Sequence, residues 1–218
     1  MPILAYCVSL SYDYLDAPTE GVGDAMVYEL DDLGLRAWYS EVEEHTFAGA
    51  ENVTKAALGF HKFVSAVFRG GNVLPFRFPT ILESPDELRA HLEDKATWYA
   101  GSLKRSEGMV QFEARIQQKS SPPPDASSGT EYLEARKRQR EQSDEVVHAL
   151  IHGLDDYLRD HHVKETQQGT RLYLLVERAR MADFRAAAGQ VPIPSGFEVR
   201  LTGPWPPAEF VPTHEGEA

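Results

Sequence analysis

Met109-Val-Gln-Phe-Glu-Ala-Arg-Ile-Gln117 alternates apolar and polar residues, whereas Arg171-Leu-Tyr-Leu-Leu-Val-Glu177 is apolar on both of its faces. Period-two alternation predicts a strand with one buried face, Val110, Phe112, Ala114 and Ile116 inward, and Gln111, Glu113, Arg115 and Gln117 outward. A strand that is greasy on both faces belongs at the centre of a sheet. Between the two, residues 132–160 predict a long helix with Val146, Val147, Leu150, Ile151, Leu154 and Leu158 as its packed stripe, followed by a weak strand near 163–167. Beyond them come a short helix, 181–188, and a last strand, 197–201. Strand, helix, strand, strand, helix, strand is the ferredoxin-like βαββαβ order, in which the first and third strands are central and both helices share one sheet face.

Working outward, the first half of the long helix, Arg136 to Glu145, is entirely polar and predicts a solvated stretch held by pairs such as Glu134 with Arg138. The run Lys119-Ser-Ser-Pro-Pro-Pro-Asp-Ala-Ser-Ser-Gly129 lacks the apolar residues to fold and reads as a mobile loop. Toward the N-terminus, residues 3–10, 26–30 and 35–42 predict three strands, the last two joined by the turn Asp31-Asp32-Leu33-Gly34. Val53, Ala56, Ala57, Phe60, Val64, Val67 and Phe68 mark a helix stopped by Gly70-Gly71. Ser84-Pro85-Asp86-Glu87 opens another with a capping box, and Leu88, Leu92, Ala96, Tyr99 and Leu103 form its buried stripe. The prediction is an α+β protein of two domains, 1–107 and 108–218, the second carrying an extended C-terminal segment.

The chain has 218 residues and a formal charge of -12 from 34 acidic and 22 basic side chains. Such a balance disfavours general affinity for nucleic-acid phosphates or anionic lipid. Its one cysteine, Cys7, sits in an apolar run and reads as a core residue, and no window approaches the ~18 consecutive apolar residues of a membrane span. A soluble, cytoplasmic protein is expected, with a fraying acidic tail from Thr213 to Ala218.

Local catalytic signals are weak. His148 and His152 are spaced i, i+4 with Asp155, Asp156, His161 and His162 downstream, but no intervening acid or cysteine partner accompanies them, so a solvated helix flank is favoured over a metal site. Arg136-Lys-Arg-Gln-Arg140 is surrounded by Glu131, Glu134, Glu141, Asp144 and Glu145, and no aromatic RNA-binding pattern is present. Gly21-Val-Gly23 lacks the context of a phosphate loop and reads as a turn. Glu43-Glu44 needs no catalytic role, and no nucleophile arrangement is apparent. No catalytic residue, cofactor or metal ligand is therefore assigned.

Two proline-aromatic runs remain. In Val73-Leu-Pro-Phe-Arg-Phe-Pro-Thr-Ile81, extended geometry puts Leu74, Phe76, Phe78, Thr80 and Leu82 on one face and Arg77 on the other, and two prolines exclude a fully paired central strand. Arg77 is either an anchor paired with a carboxylate, the favoured reading, or a surface contact for a partner. Pro204-Trp205-Pro206-Pro207 interrupts regular structure around one large aromatic, which docks on the protein's own sheet or anchors an interface.

At these residues the chain resembles the gas vesicle accessory proteins of the F/L type (GvpL/GvpF). The family's middle motif, a proline-hydrophobic-Arg-Phe-Gly-Thr run after a helix, corresponds to Leu74-Pro-Phe-Arg-Phe-Pro-Thr80, and its terminal Gly-Pro-Trp-Pro-Pro motif to Gly203-Pro-Trp-Pro-Pro-Ala-Glu-Phe210. Gly129-Thr-Glu-Tyr-Leu133 and Arg171-Leu-Tyr-Leu-Leu-Val176 are further landmarks. Pro79 stands where the family has Gly, and Ala208-Glu209 where it has a tyrosine and a polar residue. The resemblance implies a non-enzymatic protein of gas vesicle assembly that associates with the hydrophobic shell-forming protein and other accessory proteins, with no nucleic acid or membrane partner. It also implies two domains, the second a modified ferredoxin-like fold. Arg77, Phe78, Pro204, Trp205, Pro206, Pro207 and Phe210 are the motif residues singled out as candidate protein contacts. Readings from other classes are a ferredoxin-like small-molecule module, which needs a deep polar pocket, and an RNA-binding regulator acting through Arg136 to Arg140.

Overall fold

Leu33 and Gly34 both take positive φ, 48° and 77°, the backbone that a two-residue hairpin turn requires and that glycine adopts without a Cβ penalty. They join β2 (Val27–Asp32) to β3 (Leu35–Glu41), with Leu30 opposite Ala37 and Tyr28 opposite Tyr39, so the expected hairpin forms. The computed structural model describes residues 1–119, 129–166 and 169–212. The expected loop from Lys119 to Gly129, apart from its two ends, the tail from Thr213 and the pair Glu134–Arg138 lie outside what is described.

The first sheet has the order β2-β3-β1-β4, where β1 is Ile3–Leu10 and β4 is Leu74–Leu82, and both pairings of β1 are antiparallel. A register shift between Ala5 and Cys7 interrupts β1 on both sides. Its effect is to split β1 between two cores. Ile3, Ala5 and Val8 pack with Leu88, Leu92, Tyr99 and Leu103 of α2 (Pro85–Arg105). The ring of Tyr6 turns to α1 (Gly49–Gly70), 4.3 Å from Phe63 and 5.7 Å from Phe60. Both helices follow their predicted stripes, except that Val53 is exposed. Ser84 Oγ accepts from Glu87 N (3.3 Å), which satisfies an orphan donor at the start of α2, and Glu87 Oε2 accepts from Glu83 N (2.6 Å), just before the cap.

The same register shift reshapes β4. Pro75 lies opposite Cys7 and Thr80 opposite Ala5, so Phe76 to Pro79 bulge out against a single residue of the partner strand. The single apolar face expected for this run is therefore broken. Phe76 joins the α2 core, while the Phe78 ring lies 5.3 Å from Phe60 of α1. β4 is an edge strand, as its two prolines require.

The second sheet has the order β6-β7-β5-β8, from β5 (Met109–Gln118), β6 (Leu158–Thr166), β7 (Gly169–Glu177) and β8 (Phe197–Trp205), and β7 runs antiparallel to both neighbours. Counted from its own first strand, each sheet has the same strand order. Val110, Phe112, Ala114 and Ile116 are buried as expected, and Gln111, expected outward, is buried too. α3 (Gly129–Leu154) contributes Val146, Val147, Leu150 and Leu154, and α4 (Met181–Ala188) brings Phe184 to 4.6 Å from Phe112. Lys137 and Glu141 form an exposed i, i+4 pair on the polar half of α3, 3.9 Å apart.

Two expectations change here. The long helix stops at Leu154 rather than residue 160, and Leu158 opens β6, because eight-residue pairing with β7 outweighs a helical period that continues by coincidence from Leu154 to Leu158. The last strand runs past Leu201 to Trp205, since an edge strand tolerates the missing N–H of Pro204. The Phe78–Pro79 and Gly203–Pro204 bonds are cis, one in each sheet's fourth strand.

Contacts divide the chain into two units, Met1–Gly108 with the chain from Trp205 onward, and Met109–Pro204. The second domain was expected to run from 108 to 218, whereas the described residues from Trp205 to Pro212 have their contacts in the first unit. No helix among the described residues is long and apolar enough to cross a membrane.

Candidate functional site

The bulge in β4 sends three successive side chains in three directions. Phe76 enters the core beneath α2, Phe78 reaches α1, and Arg77 between them is exposed. Among the described residues no carboxylate pairs with Arg77. The favoured anchor reading is thereby overturned: displaced from the ladder, the guanidinium is exposed and does not make the buried pair that an anchor requires.

Opposite Arg77, α2 presents His91, Lys95 and Trp98 at i, i+4 and i+7, one helical face beside its buried stripe. Phe76, His91 and Tyr99 form an aromatic cluster, with Phe76–His91 at 5.7 Å, Phe76–Tyr99 at 6.1 Å and the His91 Nε2 to Tyr99 hydroxyl distance at 3.0 Å. The Trp98 ring stands edge-on to Tyr99 at 4.8 Å.

The C-terminal segment completes the site. Pro206 and Pro207 are buried, a turn at Ala208–Phe210 redirects the chain, and Val211 packs on the α2 core. Trp98 Nε1 then donates to the carbonyl oxygen of Pro212 at 2.9 Å. Together β4, α2 and this segment enclose a hollow of about 330 Å³, lined on its sides by Arg77, Thr80, Lys95 and His91 and on its floor by Phe76, Trp98 and Tyr99. Thus the structure brings the first proline-aromatic run together with the residues that follow the second, Ala208, Val211 and Pro212.

Of the singled-out residues, Arg77 alone lines this hollow. Trp205 docks on α1 rather than on a sheet, its ring edge-on to His61 with centroids 4.6 Å apart. Phe78 meets the preceding residue of that helix, Phe60. Pro204 stays in β8, and Phe210 is half-buried in the terminal turn. What the sequence reading missed is the contribution of α2. The i, i+4, i+7 spacing of His91, Lys95 and Trp98 is visible in the sequence, but nothing local says that a distant segment lies across it.

Other candidates resolve more simply. His148 and His152 are exposed and line an open depression with Ala187 and Gln190. Among the described residues no group of three or more His, Cys, Asp or Glu is arranged to hold a metal ion. Gly21 and Gly23 flank a tight turn in which Val22 N donates to the Tyr6 hydroxyl, not to an open anion cradle. Glu43 pairs with His45 at 3.0 Å, both exposed.

A family model described as gas vesicle synthesis protein GvpL/GvpF matches residues 2–212. The chain belongs to the GvpL/GvpF family. Gas vesicle protein L1 of Halobacterium salinarum is 24% identical over 250 residues, spanning 95% of this chain and 89% of that protein. The crystal structure of the gas vesicle protein GvpF from Anabaena sp. superposes with a TM-score of 0.79 at 11% identity, covering 98% of this chain and 97% of that one. GvpF from Microcystis aeruginosa gives 0.72 at 12% identity, covering 97% and 99%. At such identity the two structures speak for the fold alone, a mixed helix and strand protein. As a GvpL/GvpF member, the chain is a gas vesicle accessory protein.

Proposed function

We propose that this chain acts during gas vesicle formation by binding the hydrophobic shell-forming protein and other accessory proteins, without catalysing a reaction, and that the hollow beside β4 is its docking surface. The observation that carries this is the meeting of the β4 bulge and the terminal segment on one concave site. Before they polymerise, shell subunits expose apolar surface and unpaired strand edges, and a soluble partner keeps such species from aggregating. An aromatic floor receives apolar side chains, while a net charge of -12 keeps the complex in solution. Action in the cytoplasm and at the vesicle follows from this role.

We also read the chain as two domains that divide near residue 108, the second a modified ferredoxin-like unit. The β6-β7-β5-β8 order with α3 and α4 interposed between its strands supports that reading.

The test is co-expression with the shell protein followed by pull-down. Arg77→Glu and Trp98→Ala should each lower recovery of the shell protein about tenfold, whereas His148→Ala, on the other unit, should leave it unchanged. Equal recovery by Arg77→Glu and the parent chain sinks the assignment of the hollow.

A further inference from the structure

Among the described residues, the lining of the hollow carries nitrogen-bearing side chains and no carboxylate. The chain has 34 acidic against 22 basic residues, yet the nitrogen-bearing ionisable side chains lining this site are Arg77, Lys95 and His91, and among the described residues no carboxylate lines it. Arg77 is held outward by the bulge and is not neutralised by any described carboxylate. A guanidinium presents a planar fork of N–H donors, which favours bidentate pairing with a planar carboxylate. Beneath it lie the Phe76, Trp98 and Tyr99 rings, whose faces accept apolar groups. A volume of about 330 Å³ is at the small end of ligand sites and suits one or two side chains.

We propose that the hollow receives an acidic, apolar segment of a partner polypeptide, with an Asp or Glu carboxylate on Arg77 at the rim and a neighbouring bulky apolar side chain on the aromatic floor. This rests on the hollow being a docking surface, as argued above, and adds the chemistry of what docks there. Charge complementarity selects the occupant. A basic segment meets the Arg77 guanidinium with a like charge, and a purely apolar one leaves Arg77 without a partner.

The probe is a fluorescein-labelled peptide, Ser-Glu-Leu-Phe-Glu-Leu-Ser, titrated with the full chain and followed by fluorescence anisotropy, beside versions carrying Gln or Lys in place of Glu. The Glu peptide should bind at least tenfold more tightly than the Gln peptide. Arg77→Glu should abolish that preference and turn it toward the Lys peptide, and Arg77→Lys should retain the preference in weakened form. Circular dichroism of each variant establishes that the exposed substitution leaves the fold intact. Equal binding of Glu and Gln peptides, or a preference that survives Arg77→Glu, overturns the proposal. Should shell-protein recovery depend on Arg77 while the peptides show no preference, the docking surface stands and its acidic ligand falls. If recovery ignores Arg77, the docking surface itself falls.

Discussion

The indole nitrogen of Trp98 donates to the carbonyl oxygen of Pro212 at 2.9 Å, joining residues 114 positions apart. This bond ties the terminal segment to α2, and the segment in turn forms one wall of the hollow. Aromatic packing and hydrogen bonding are separable here, because the Trp98 ring also rests edge-on against Tyr99.

Trp98→Phe should keep the ring contact and lose the donor. The expected cost to global stability is about 0.5–1.5 kcal/mol, the net worth of an ordinary hydrogen bond. The local effect should be larger. Amide protons of Ala208 and Phe210, which donate to Pro206 and Pro207 carbonyls at 2.8 and 3.1 Å, should exchange with solvent faster, while those of β1 are unaffected. Unchanged exchange at both amides would show that the segment is held without the Trp98 bond.

Tyr6 sits at the break in β1, and its hydroxyl accepts from Val22 N at 2.8 Å and donates to Ser40 Oγ at 3.1 Å. Burial pushes its pKa up, against the opposing pull of the bonds to Ser40 and Val22. Tyr6→Phe keeps the ring on Phe63 but strands a buried N–H, so it should cost about 1–3 kcal/mol in urea unfolding. Ser40→Ala leaves the Val22 bond in place and should cost less. Because the three groups form one network, the double variant should fall short of the sum of the two single losses.

Gly203 has φ of 131°, and a Cβ built there lies 2.8 Å from both Gln111 O and Phe112 Cδ1. Its carbonyl is held by Arg185 Nη2 at 2.6 Å, and the same guanidinium stands 5.4 Å over the Phe112 ring. Gly203→Ala combines a disfavoured backbone with overpacking against β5 and should destabilise by about 2–5 kcal/mol. Arg185→Ala, which removes one exposed donor, should cost about 1 kcal/mol. A Gly203→Ala loss below that of Arg185→Ala would contradict the close approach of β8 to β5.

How much of this was legible in the sequence depends on how local each cause is. The hairpin at Leu33-Gly34, the stripes of α1 and α2, the cap at Ser84 and the central position of β7 follow from neighbouring residues, and the resemblance carried by the Leu74–Thr80 and Gly203–Phe210 runs led to the right family. The bulge that separates Phe76 from Phe78 comes from pairing with β1 and leaves no mark in the periodicity of β4 itself. Leu158 continues a helical period into what pairs as a strand, since the competing partner, β7, comes later in the chain. Likewise Arg77 reads as an anchor until the bulge is seen, and Trp98 reads as one more residue on a helix until Pro212 is placed against it.

Cys7 offers a pH-dependent readout of the first unit. Burial pushes its thiol pKa far above the ordinary value of about 8.5, with no hydrogen bond opposing it. Above that pH the unfolded chain loses a proton that the folded chain retains, so the unfolded state binds fewer protons and stability falls as pH rises. One such group gives a slope approaching about 1.4 kcal/mol per pH unit. Urea unfolding between pH 8.5 and 9.5, below the titration of Tyr6, should show this decline, and Cys7→Ala should flatten it whatever its effect on absolute stability. Iodoacetamide should leave the native thiol unmodified, because the thiolate forms only on unfolding. Tyr6→Phe should then speed labelling by the factor that its loss of stability dictates, tenfold for each 1.4 kcal/mol. Rapid native labelling at a rate indifferent to Tyr6→Phe would mean that β1 opens to reagent without unfolding of the sheet around it.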